Sequence, residues 1–234
     1  AEHLASHGFL VALPQHLGSD TQHVADMLAG YNRAVFAVEE FIDRPLDISH
    51  VLDELDARNA SEFDGRLDLD NVGLLGHSFG GYTALALAGA TIDTTHLRAD
   101  CDREGYLNVS LLLQCRALVL PSIPSSFRDE RVAAVIAVNP VNNSIFGPDG
   151  LANVEIPVAL VAGSLDPAAP AIFEQLLSFP CITSPDKFLI LSVSYTFPPI
   201  FWLLSLTSSL FTPPFPHFLI PSLTHSPIRS LLLT

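Results

Sequence analysis

One stretch restricts the fold more than any other: Asn71-Val72-Gly73-Leu74-Leu75-Gly76-His77-Ser78-Phe79-Gly80-Gly81-Tyr82, where an apolar run meets a small-residue run through Gly-x-Ser-x-Gly. A serine between a strand and a helix in this pattern predicts a sharp turn with strained backbone, because only a tight bend requires small residues two positions to either side. Gly76 and Gly80 remove the side chains that would collide there, and Gly81 lets the helix approach the strand closely. The bend lifts the Ser78 hydroxyl above a sheet edge at a helix amino terminus, where the dipole and backbone N–H groups favour developing negative charge. Ser78 is therefore the candidate nucleophile, and the backbone N–H of Phe79 a candidate oxyanion-hole donor. The plainer alternative is a turn serine without chemistry.

The flanking sequence supplies the rest of the architecture. Short apolar runs at Gly8 to Leu13, Asn71 to Gly76, Val132 to Val138, Pro157 to Gly163 and Phe188 to Val193 read as strands, the first of them, closed by Pro14, as one covered on both faces. Between them lie helical patterns: Asp20 through Phe41, a second opened by Pro45 with Ile48, Val51, Leu52 and Leu55 on one stripe, and Phe79 to Ala90. Strands separated by helices predict a mostly parallel sheet with helices on both faces, an α/β fold. Residues 142–152 are open to two readings, the lining of an acyl pocket or a surface loop.

A serine nucleophile needs a base, and the base an orienting acid, in the chain order Ser, Asp or Glu, His. Asp166, directly after the strand ending at Gly163, is the acid candidate; the plainer reading is a cap on the turn before Pro167. Of nine histidines only His217 and His225 follow it, and His225 is the candidate base of the two. His77 sits inside the elbow and reads as packing. His3 and His7 share a helical face but lack a third ligand, so no metal is expected. No glycine-rich nucleotide motif follows a strand, so no organic cofactor is expected either.

Composition narrows the partners. Eleven basic against 25 acidic residues give a net charge of −14, which repels phosphate backbones and argues against nucleic acid. Three cysteines without CxxC spacing exclude a disulfide-dense scaffold; Cys101 and Cys115 could pair in an oxidising compartment, but three buried thiols are the plainer reading. The chain opens inside a helical pattern and so reads as a fragment. Near residue 195 its character changes: from Tyr195 to Thr234 there is no Gly, Asp, Glu or Lys, the one charge is Arg229, and seven prolines interrupt the apolar run. The longest proline-free stretch, Ile200 to Thr212, has 13 residues, short of the roughly 20 a spanning helix needs. Residues 1–194 thus read as a partial domain. Residues 195–234 read as a tail outside the native fold, for instance from a frame shift, with membrane contact as the alternative. Compartment and oligomeric state are not legible.

Three stretches resemble the α/β-hydrolase superfamily, closest to the branch labelled predicted dienelactone hydrolases, related to platelet-activating-factor acetylhydrolases and polyester hydrolases. They are His3 to Pro14 with Gly18-Ser19-Asp20, Phe41 to Asp47 with Val51 to Leu55, and Gly76 to Gly81. The resemblance implies hydrolysis of a small carboxylic ester or lactone, with Ser78 as nucleophile, Asp166 as acid and Phe79 in the oxyanion hole. The chain departs from the family in three ways. The His-Gly loop that supplies a second oxyanion donor is missing, and so is a histidine directly after the last strand. The well-known dienelactone enzymes also use cysteine where this elbow has serine. Slow turnover is the expectation, and a non-catalytic remnant or a binding protein with an apolar tail is the competing class.

Overall fold

In the computed structural model, residues 1–16, 37–103, 108–193 and 228–233 are described. They form α1 (Glu2–Ala5), β1 (Phe9–Ala12), α2 (Glu40–Glu62), β2 (Leu67–His77), α3 (Phe79–Leu87), α4 (Thr94–Asp102), α5 (Leu111–Gln114), β3 (Val132–Val138), α6 (Asn143–Leu151), β4 (Val158–Gly163), β5 (Lys187–Ser192) and β6 (Ile228–Leu233). The strands make one sheet in the order β1-β6-β2-β3-β4-β5, and every pairing is parallel. The α/β class expected from the sequence is the one observed, and a strand, a tight serine turn and a buried helix form its centre.

Two of the inner strands have sequences that offer no polar face. Val-Ala-Ala-Val-Ile-Ala-Val of β3 and Val-Ala-Leu-Val-Ala-Gly of β4 are buried over most of their length, as parallel strands covered by helices are. β1 and β5 lie at the edges and are largely half-buried. For β1 this corrects the expectation of a strand covered on both faces: all four of its residues are half-buried, where most of those in β3 and β4 are buried. Every residue of α3 is buried, which explains why its apolar residues encircle the helix rather than form a stripe. The core continues into α2 through Phe41, Ile48 and Leu52, spaced to lie on one helical face.

α2 differs from expectation. The sequence predicts one helix ending at Phe41 and another opening at Pro45, whereas a single helix runs from Glu40 to Glu62 with Pro45 inside it. Proline has no N–H for the carbonyl four residues back, here that of Phe41. The Tyr82 hydroxyl donates to that carbonyl at 2.6 Å, replacing the lost bond from the neighbouring helix. Tyr82 is fully buried, and burial pushes its phenol well above its usual range, so it stays a neutral donor. Its ring stacks on Phe146 at 5.1 Å and meets Phe41 edge-on at 5.2 Å.

Three further expectations are revised. Cys101 and Cys115 are joined in a disulfide, Cα atoms 5.9 Å apart, and only Cys181 is free among the described cysteines. The bridge ties the end of α4 to the residue after α5. Residues 143–151 are a helix rather than a surface loop, kinked at Gly147 (φ 59°), with Ile145, Phe146 and Leu151 fully buried. The segment set apart by composition contributes β6, which hydrogen-bonds β1 on one side and β2 on the other; for residues 228–233 this differs from a tail lying outside the fold. The six residues of β6, Ile-Arg-Ser-Leu-Leu-Leu, pair in parallel with β1 on one side and β2 on the other although Arg229 and Ser230 interrupt their apolar character. Residues 194–227, with the rest of that segment, lie outside the described residues, as does most of the helix expected from Asp20. Among the described residues no helix is long and apolar enough to cross a membrane.

Candidate active site

β2 hands over to α3 in one residue. Ser78 has φ 54° and ψ −115°, a conformation that costs a residue with a Cβ about 1–3 kcal/mol. Four backbone hydrogen bonds hold it there. The Ser78 N–H donates to Val138 O at 2.8 Å, extending the β2–β3 ladder, and Ser78 O accepts from the N–H groups of Gly81 (3.0 Å), Tyr82 (3.2 Å) and Val141 (3.3 Å). The steric reading of the glycines is sharp: a Cβ on Gly76 would stand 2.1 Å from Gly80 O, and one on Gly81 would stand 2.8 Å from the Pro140 ring. Ser78 is half-buried, and its hydroxyl makes no capping bond to α3. It is therefore not consumed by the local structure.

Phe79 begins α3, so its N–H belongs to the helix end that carries partial positive charge. The backbone around it is braced. Its carbonyl accepts from Thr83 Oγ1 at 3.1 Å, and Thr83 Oγ1 in turn accepts from Arg44 Nε at 3.3 Å. The Arg44 guanidinium lies 5.0 Å above the Phe79 ring and near Glu40 (3.7 Å).

Asp166 lies three residues past the end of β4. Because β2, β3 and β4 end in register (His77 opposite Val138, Val138 opposite Val161), Asp166 and Ser78 share the carboxyl edge of the sheet. Asp166 is buried, and both of its oxygens are engaged. Oδ1 accepts from the N–H groups of Ala168 (2.8 Å) and Ala169 (3.2 Å), and Oδ2 from Asn139 Nδ2 at 2.5 Å. The turn-capping geometry is thus present, and the side-chain bond to Asn139 is an addition the cap alone does not require.

Asn139 was not legible as a site residue. It follows β3 with φ 43°, a left-handed conformation that asparagine tolerates, and its Oδ1 accepts from Gly163 N at 3.2 Å. Its signal in the sequence was an amide directly after a wholly apolar strand and before proline, but its partner stands 27 residues on. His77, read as packing, is mostly buried; burial holds its imidazole below the ordinary range, and the negative charge of Asp166 offsets part of that. Its ring is thus within electrostatic reach of Asp166. His225 and His217 lie outside the described residues, and the candidate base is not placed. Among the described residues no group of three His, Cys, Asp or Glu side chains is arranged to hold a metal.

No family model and no curated protein matches the chain. Its structure is similar to a crystal structure of a monoacylglycerol lipase from Paleococcus ferrophilus, with 17% identity and a TM-score of 0.37 over 81% of this chain and 86% of that one. At that level of likeness, any chemistry assigned to the site rests on its own geometry.

Proposed function

We propose that the chain is a serine hydrolase of carboxylic esters or lactones, acting through an acyl-enzyme. The observation that carries this reading is the strained φ of Ser78 at the turn between β2 and α3, with a buried carboxylate on the same sheet edge. Strain of about 1–3 kcal/mol persists at a turn only where the surroundings enforce it, and here the close approach that Gly76 and Gly81 permit and four backbone bonds do so.

In the proposed reaction Ser78 Oγ attacks the ester carbonyl while a histidine takes its proton. The tetrahedral oxyanion is held at the start of α3 by the Phe79 N–H, and the protonated histidine passes its proton to the leaving alcohol. Water then repeats the sequence on the acyl-enzyme. Asp166 orients the histidine and stabilises its charge. β2 and β4 are two strand spacings apart, about 10 Å, a gap suited to an imidazole between hydroxyl and carboxylate. His225 is the residue we assign as base, on chain order. The likeness of the elbow and its flanks to the dienelactone hydrolase branch adds the substrate class, small esters and lactones.

A chromogenic short-chain ester tests the reading. Slow hydrolysis that is abolished in Ser78→Ala and reduced in His225→Ala supports it. Hydrolysis unaffected by Ser78→Ala, or none at all, overturns it.

A further inference from the structure

Glu174, which no part of the proposed reaction uses, is completely buried in the short helical turn Ile172–Leu176. A buried carboxylate is costly unless its oxygens are satisfied, and here five donors converge on it. Oε1 accepts from Asn108 Nδ2 (2.8 Å), Gln114 Nε2 (2.8 Å) and the Ser110 hydroxyl. Oε2 accepts from the backbone N–H groups of Asn142 (2.8 Å) and Asn143 (3.0 Å), at the start of α6. Next to it in sequence, Gln175 Nε2 donates to Pro140 O at 2.8 Å.

The loop these bonds hold is the one that joins the two halves of the candidate site. Asn139 binds Asp166, Pro140 occupies the space that a side chain on Gly81 would need, and the Val141 N–H reaches Ser78 O. We propose that Glu174 is a positioning residue: through loop 139–143 its carboxylate fixes Asp166 and the Ser78 turn relative to each other. This rests on the reading of Ser78 as nucleophile, and it has a structural consequence that stands apart from it.

The full chain is compared with Glu174→Gln, which keeps the shape but offers an amide to donors that need a carboxylate. Leu52→Ala, in α2 and away from the site, serves as a control for general destabilisation. Hydrogen exchange is read at single amides, together with the rate at which a fluorophosphonate labels Ser78. In Glu174→Gln, exchange should rise about tenfold or more at Val141 and Ala168 as well as at Asn142 and Asn143, while Val135 in β3 stays protected. Labelling should slow by a similar factor, the scale of a lost hydrogen bond to a charge. Leu52→Ala should leave the labelling of its folded fraction unchanged. Exchange that rises only at Asn142 and Asn143, with labelling unaltered, overturns the proposal, as does equal slowing in Leu52→Ala. If the unmutated chain is not labelled, the hydrolase reading fails, and the exchange at Val141 and Ala168 alone decides the role of Glu174. Should Glu174→Gln not fold, Glu174→Asp, with a shortened carboxylate, is expected to show the same pattern more weakly, and protection equal to the parent's at Val141 and Ala168 would overturn it.

Discussion

Replacing Gly76 with alanine isolates the steric basis of the elbow. The added Cβ would sit 2.1 Å from Gly80 O, 2.4 Å from Gly80 C and 2.8 Å from Gly81 N, all backbone atoms of α3. Real Cβ contacts essentially stop at 3.0 Å, so β2 and the first turn of α3 must part by about 0.9 Å. No rotamer change can absorb that, because no side chain is involved, and α3 is buried on every side. Overpacking of a buried site costs about 1–3 kcal/mol even where side chains can yield, so about 3 kcal/mol is a floor here. For a chain of this size that corresponds to a fall in Tm of roughly 6–12 °C. Gly65→Ala is the control: its Cβ meets nothing within 4 Å, and the cost is the left-handed φ of 67° alone, about 1–2 kcal/mol. Urea unfolding of both variants gives the stabilities, and fluorophosphonate labelling of the folded protein reports the elbow. Gly76→Ala should lose labelling even where it remains folded, while Gly65→Ala keeps it. A Gly76→Ala protein as stable as its parent and labelled at the same rate would refute the steric account.

Other outcomes follow from the same contacts. Tyr82→Phe leaves the Phe41 carbonyl buried beside Pro45 without its donor, and should cost about 1–3 kcal/mol in a urea titration; no change would mean Pro45 is accommodated otherwise. The Cys101–Cys115 bridge closes a loop with a sequence separation of 14, worth about 3 kcal/mol, so adding reductant or making Cys101→Ser should lower Tm by several degrees. The folded-state pKa values of His16 and His77 are depressed, chiefly by burial, so both imidazoles stay neutral in the folded state below the pH at which the unfolded chain takes up protons. Stability is therefore full above about pH 6.5 and is lost as the pH falls below it. Thermal melts from about pH 7 to 5 should show this decline, and His77→Asn should make it shallower.

What the sequence shows of this fold and what it hides divide along one line. Contacts within a few residues were legible: the glycine spacing around Ser78, the wholly apolar runs of β3 and β4, and the helical stripe of Ile48, Val51, Leu52 and Leu55. What depended on distant partners was not. Pro45 looks like a helix start until the Tyr82 hydroxyl is found on the Phe41 carbonyl, 41 residues away in sequence. Asn139 and Glu174 look like ordinary polar residues, because their partners stand 27 residues on and up to 66 residues back. Cys101 and Cys115 could be read as thiols because pairing needs Cα atoms within about 7 Å, a distance spacing alone does not supply. β6 was obscured for another reason: composition marked its whole segment as foreign to the domain, and Arg229 and Ser230 break the apolar run that would have announced a strand, although six of those residues pair in the sheet.

Mass spectrometry of the folded chain after exposure to a fluorophosphonate reaches the nucleophile itself, without requiring the natural substrate. We expect one phosphonyl group, mapped to the peptide containing Ser78, absent from Ser78→Ala and absent when the chain is first unfolded in urea. A folded chain that takes up no reagent, or takes it up at another residue, would show that the hydroxyl on this bend is not activated and would contradict the account.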